Sequence, residues 1–168
     1  MKSLTRSELA SLLECSGDDR LLFTVMFNHG LRVSEVINLT EANVQDGYLV
    51  IQRLKKSRKT TQPLLPDEQE LRTMTGRFFP MSRWTVARKL QEAGAKAGIP
   101  RHRLHPHVLK HTTGRLGYLG GMGIPELQAY LGHKNGGNTM VYLQADEAEA
   151  AQAFAAAVGK SNFLSIGS

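Results

Sequence analysis

The residues able to do chemistry crowd into a few short stretches. His102, His105, His107 and His111 place four of the six histidines within ten residues, and His107 and His111 share a helix face at i, i+4. Zinc is the first chemistry to weigh. No thiol or carboxylate is interleaved with these histidines, only Pro, Arg, Leu, Val and Lys, so the cluster is not expected to hold a metal. Positive charge is the better common factor. Arg32, just after a Gly30-Leu31 turn, is placed either to bind a phosphate or to pair with Glu35 three residues on. The run KKSRK at 55–59 is either a solvated turn or a finger that contacts phosphates. Tyr142, nine residues beyond His133, reads by itself as a packed aromatic.

The elements that must position these residues are mostly helical. Thr5 and Glu8 form the capping box of a helix carrying Leu9, Leu12 and Leu13. Leu21, Leu22, Val25 and Met26 stripe a core helix that Gly30 stops, and Ser34 is placed to cap a third helical turn. YLVIQ and TQPLL predict strands, the first at about 48–53, paired as a hairpin with the basic run at its tip and Pro66 closing the second. DEQELRTM suggests a further helix. SRWTVARKLQEAGAKAG predicts a longer one, with Trp84, Val86, Leu90 and Ala93 inward and Arg83, Arg88, Lys89 and Lys96 outward, ended by Gly98. IPRHRLHPH is a loop, HVLKHTTGRLGYL and IPELQAYLG are helices, and Thr139–Leu143 gives one more turn. An alanine-rich helix, striped by Ala151, Phe154, Ala155 and Val158, closes the chain. The fold class expected is mainly α with a small antiparallel β-sheet.

Composition narrows the function. The chain has 168 residues, 21 Lys+Arg against 15 Asp+Glu, and 41% hydrophobic residues, so it is expected to fold as one basic globular domain. A single cysteine excludes an internal disulfide framework. No stretch approaches the roughly 20 apolar residues that cross a bilayer, and a cytoplasmic protein without a membrane partner is expected. The net charge of +6 favours a polyanionic partner.

Taken in order, GLRVSE at 30–35, the basic hairpin at 55–59, HVLKH at 107–111, LGH at 131–133 and Tyr142 resemble the tyrosine recombinases, or phage integrase family. The resemblance covers roughly residues 4–145, and HPHVLKHTTG, YLGHKN and RLKKSRKTTQPL look most like the small fimbrial phase-switch recombinases. It implies the catalytic-domain fold of that family and a site-specific recombinase for integration, excision or inversion. Such an enzyme cleaves and rejoins double-stranded DNA through a 3′-phosphotyrosyl intermediate. In that mechanism Arg32 grips the scissile phosphate, buttressed by Glu35. Lys55, eight residues before Pro63, protonates the leaving 5′ oxygen, with neighbouring Lys56 as the alternative. His107 and His133 donate hydrogen bonds, and Tyr142 is the nucleophile. Lys110 departs from the pattern, which has a second arginine there. No cofactor is implied.

Lys56, Arg58, Lys59, Arg83, Arg88, Lys89, Arg101 and Arg103 are the expected DNA-binding cations. The same resemblance implies a homo-oligomer, a tetramer, on DNA, with accessory DNA-bending proteins as possible partners. Residues 1–168 are expected to be one catalytic domain without the N-terminal clamp domain usual in the family, and 147–168 to be a helix that docks onto a neighbouring subunit. The competing expectation, prompted by Lys110, is a catalytically weak DNA-binding or regulatory relative.

Overall fold

The structure is a computed structural model that describes residues 3–53 and 58–133, together with 151, 152, 154–156 and 158. Six helices and a three-stranded sheet have defined bounds: α1 (Arg6–Glu14), α2 (Arg20–His29), α3 (Val33–Val36), β1 (Val44–Gln45), β2 (Tyr48–Ile51), β3 (Thr60–Pro63), α4 (Arg83–Lys96), α5 (Val108–Leu119) and α6 (Ile124–Leu131). The expected class, mainly helical with a small antiparallel sheet, is what forms.

The helices enclose one core in which Leu12, Phe23, Met26, Leu90 and Leu109 are fully buried. α2 runs through its centre, packed on α1, α3 and α5. Thr5 caps α1 by accepting from the Glu8 N–H while Glu8 accepts from the Thr5 N–H, the reciprocal box read in the sequence. Gly30 ends α2 in the left-handed region, at φ 60°. It also lets three helices meet, because a Cβ there would lie 2.5 Å from Leu131 Cδ2 and 3.5 Å from Thr113 Cγ2.

Several local expectations are corrected. Ser34 lies inside α3 and does not cap it; Arg32 holds the cap position, and its N–H donates to Glu35 Oε1 at 2.8 Å. The sheet has an additional strand, β1, joined to β2 through Asp46 and Gly47, both at positive φ, which is the geometry of a tight two-residue hairpin. β3 ends at Pro63, and Pro66 opens a 3₁₀ segment, Pro66–Arg72, in place of the expected α-helix. A further 3₁₀ turn, Arg101–Arg103, interrupts the loop before α5. Trp84 is 80% exposed, not inward. Val86, Leu90 and Ala93 form the buried stripe of α4, and Trp84, two residues before Val86, sits about 200° around the helix from it. The turn expected at 139–143 lies outside the described residues. In the alanine-rich segment, residues 151, 152, 154–156 and 158 are helical, and Phe154 is 71% exposed.

Candidate active site

Four segments converge where α2 and α6 end. The turn after α2 and the first turn of α3 bring Arg32 and Glu35, the end of β2 brings Arg53, α5 brings Lys110 and His111, and the left-handed turn after α6 brings His133. Glu35 is buried and shared between two guanidinium groups, with its carboxylate oxygens 3.6 Å from Arg32 Nη1 and 3.6 Å from Arg53 Nη1. Arg32 keeps part of its side chain open to solvent, whereas Arg53 is enclosed.

Lys110 is buried on α5, and its Nζ donates to the Leu131 carbonyl at 3.2 Å. That carbonyl belongs to the last turn of α6, where the helix dipole favours a cation. Burial, then the charges of Arg53 and Arg32, push the Lys110 ammonium down to about 7, against the opposing pull of Glu35. His133 is buried and pushed down to about 4 by burial and by Lys110, Arg32 and Arg53. Half-buried His111 is likewise pushed down to about 4, by burial and by His105 and His107. Both imidazoles are therefore neutral near pH 7 and act there as hydrogen-bonding groups. Among the described residues, Arg32, Arg53 and Lys110 face one carboxylate, an arrangement in which an incoming anion would relieve their mutual repulsion.

Of the expected residues, Arg32, Glu35, Lys110 and His133 come together here. His107 is exposed at the start of α5, one helical turn before His111. Lys55, Lys56 and Tyr142 lie outside the described residues. Arg58, Lys59, Arg83, Arg88 and Arg101 are exposed. Lys89 and Arg103 are engaged internally, the first with Asp19 at 3.0 Å and the second in a two-pronged pair with Glu8. Tyr130 is the tyrosine next to the LGH turn, but its hydroxyl donates to the Asn28 carbonyl, and burial together with Glu68 pushes it up to about 12. It is held protonated and engaged, a poor nucleophile.

Arg53 is the residue that sequence reasoning missed. A signal was present: Leu49, Ile51 and Arg53 alternate as buried positions, so Arg53 continues the core-facing row of β2 into the basic run.

Comparison with known proteins gives this constellation its context. The phage integrase family profile matches residues 2–149. The type 1 fimbriae regulatory protein FimB of Escherichia coli K12 is 30% identical over 167 residues, covering 83% of this chain and 82% of FimB. Tyrosine recombinase XerA of Pyrococcus furiosus is 34% identical over 164 residues, covering 84% of this chain but 56% of XerA. Among solved structures, the catalytic domain of bacteriophage HP1 integrase superposes with a TM-score of 0.68 at 24% identity, covering 85% of this chain and 87% of that domain. A XerA recombinase crystal structure gives a TM-score of 0.75 at 21% identity, over 92% of this chain and 64% of that one. The chain belongs to the phage integrase family, as a tyrosine recombinase catalytic domain. Its enzyme class is that of the tyrosine-type DNA strand-breaking and rejoining recombinases.

Proposed function

We propose that this chain is a site-specific recombinase that cleaves double-stranded DNA by attack of the Tyr142 phenolic oxygen on a scissile phosphate. The P–O bond to the 5′ oxygen breaks as the Tyr–O–P bond forms, leaving a 3′-phosphotyrosyl link and a 5′ hydroxyl. The retained bond energy lets a second 5′ hydroxyl reverse the step. Arg32 and Lys110 take the non-bridging oxygens, His107 and His133 donate hydrogen bonds, and Lys55, or Lys56 one residue on, gives its proton to the departing oxygen. Arg58, Lys59, Arg83 and Arg101 offer exposed charge to the DNA backbone, whereas Arg88, also exposed, is paired with Glu92.

The observation that carries this reading is the convergence of Arg32 and Lys110 near the shared carboxylate Glu35, with His133 beside Lys110 and Arg32. A DNA partner accords with the solved relatives, among them a XerH recombinase bound to its difH substrate and a lambda integrase dimer bound to a core site. Assembly as a tetramer on DNA, docking of 147–168 onto a neighbouring subunit, help from DNA-bending proteins and a cytoplasmic setting complete the proposal. The test is a nicked suicide duplex, which traps cleaved product: a covalent protein–DNA adduct resistant to denaturation is expected. One observation favours the second reading, a weak regulatory relative, because the Lys110 ammonium is engaged with Leu131 and easily neutralised. A complex that salt dissolves completely, with no adduct, would select it.

A further inference from the structure

Arg53 has no role in the scheme above, yet its buried guanidinium makes four hydrogen bonds at the site. Nη2 donates to the His29 carbonyl at 2.7 Å and the Tyr130 carbonyl at 3.2 Å, Nη1 to the Gly30 carbonyl at 2.9 Å, and Nε to Thr60 Oγ1 at 3.0 Å. Nη1 also faces Glu35 Oε1. One planar fork thus joins the carbonyl ends of α2 and α6, the first residue of β3 and the carboxylate that buttresses Arg32. The stem of Arg53 packs just as closely. Gly132 stands against it at φ 74°, and a Cβ there would lie 2.8 Å from Arg53 Cγ and 2.9 Å from the Arg58 carbonyl. The Arg58 N–H in turn donates to the Gly132 carbonyl at 2.8 Å. His133 follows Gly132, Arg32 lies two residues after Gly30, and Lys110 bonds the carbonyl of Leu131. Each phosphate-facing group is therefore one or two residues, or one hydrogen bond, from a group that Arg53 or its stem touches.

We propose that Arg53 is a positioning residue for strand cleavage: its fork fixes the α2–α3 turn to the α6 turn and so sets the spacing of Arg32, Lys110 and His133 around the phosphate. The proposal rests on the recombinase reading given above. A lysine keeps the charge but cannot make four directed bonds to four acceptors on three segments, so charge and geometry separate by substitution. The charge has its own signature. Lys110 is faced by Arg53 from just after β2, by Arg32 and Glu35 from the α3 turn, by His111 on its own helix and by His133 after α6. Removing the Arg53 cation leaves it nearer to the ordinary lysine range.

The experiment compares the unsubstituted chain, Arg53→Lys, Arg53→Gln and Thr60→Val on a nicked suicide duplex, as single-turnover rates across pH 6–9 with protein below saturation, alongside DNA affinity. Arg53→Lys is expected to cleave at least 10-fold more slowly, with affinity within threefold and the pH at which the rate falls unchanged. Arg53→Gln is expected to be slow and to carry that fall to higher pH, a displacement that simple loss of packing would not produce in one variant and spare in the other. Thr60→Val, which deletes only the Nε acceptor, is expected to slow cleavage about threefold. A rate for Arg53→Lys equal to that of the unsubstituted chain, or identical pH profiles for Lys and Gln, would overturn the positioning role while leaving the recombinase reading intact. Should both Arg53 variants fail to fold, an unchanged rate in Thr60→Val would overturn it. No adduct from the unsubstituted chain would overturn the recombinase reading and the positioning role with it.

Discussion

The cations of this molecule live under two regimes. On the outer side of α4 and around the N-terminus, charges are matched one to one: Arg88 with Glu92 at 2.7 Å, Lys89 with Asp19, Arg103 with Glu8. Where α2 and α6 end, Arg32, Arg53 and Lys110 sit near one another and face the shared Glu35. The first regime leaves little charge for a ligand to answer, and partly exposed pairs of this kind contribute only about 0–1 kcal/mol each. The second keeps positive charge in a poorly solvated place, where it is costly until an anion arrives. A basic net charge favours a polyanionic partner; cations gathered about a shared carboxylate in a poorly solvated place mark where such a partner's charge would be felt most.

Substitutions in the two regions should separate sharply. Arg32→Ala is expected to lower single-turnover cleavage on the order of 10²–10³-fold, the usual loss for one donor to a developing charge, whereas Arg88→Ala should change it less than about threefold. Similar losses in both would erase the distinction. Lys110→Arg should raise cleavage at neutral pH on the order of 10–100-fold, because a guanidinium stays charged and offers two prongs where the lysine, near 7, is about half neutral. A flat or lower rate would mean that His111 or Arg115, the latter one turn further along α5, has already repacked to compensate.

Stability should show the same asymmetry. Lys110 releases its proton at about 7 in the folded chain and at about 10.5 when unfolded, so between those values the unfolded state binds more protons. Folding stability is therefore expected to rise with pH across that window, and denaturant titrations of Lys110→Met should lose that rise. A slope that persists in the variant would assign it elsewhere. The smallest effect belongs to Arg103→Ala, expected to cost about 0–1 kcal/mol in the same titrations and nothing in the chemical step once DNA is saturating.

What was legible in the sequence follows the same division. The capping box at Thr5, the glycine stop at Gly30 and the core stripe of α4 from Val86 onward are legible because each is set by neighbours within one or two helical turns. Trp84 departs from its expected inward place because its position two residues before Val86 sets it on the outer face whatever its hydrophobicity. The β1–β2 turn was missed although Asp46-Gly47 is a strong two-residue hairpin signal, because β1 is only two residues long. Arg32, Glu35, Lys110 and His133 were named from motifs, and the structure gathers them. Arg53 could not be named by its type, since an arginine within RLKKSRK looks like surface charge. The buried carbonyl ends of α2 and α6, brought in from residues 23 and 77 positions away, are among the partners that the fold assembles for it.

The central claim is that Arg32 and Lys110 hold a phosphate for attack by Tyr142. Protease digestion of the covalent adduct formed on a nicked duplex, followed by mass spectrometry, tests it most directly. The nucleotide-modified peptide is predicted to carry its mass on Tyr142, and Tyr142→Phe is predicted to abolish the adduct while keeping DNA affinity within about threefold, since one lost hydroxyl removes no charge. Modification at Tyr48, Tyr118 or Tyr130, or adduct persisting in Tyr142→Phe, would contradict it.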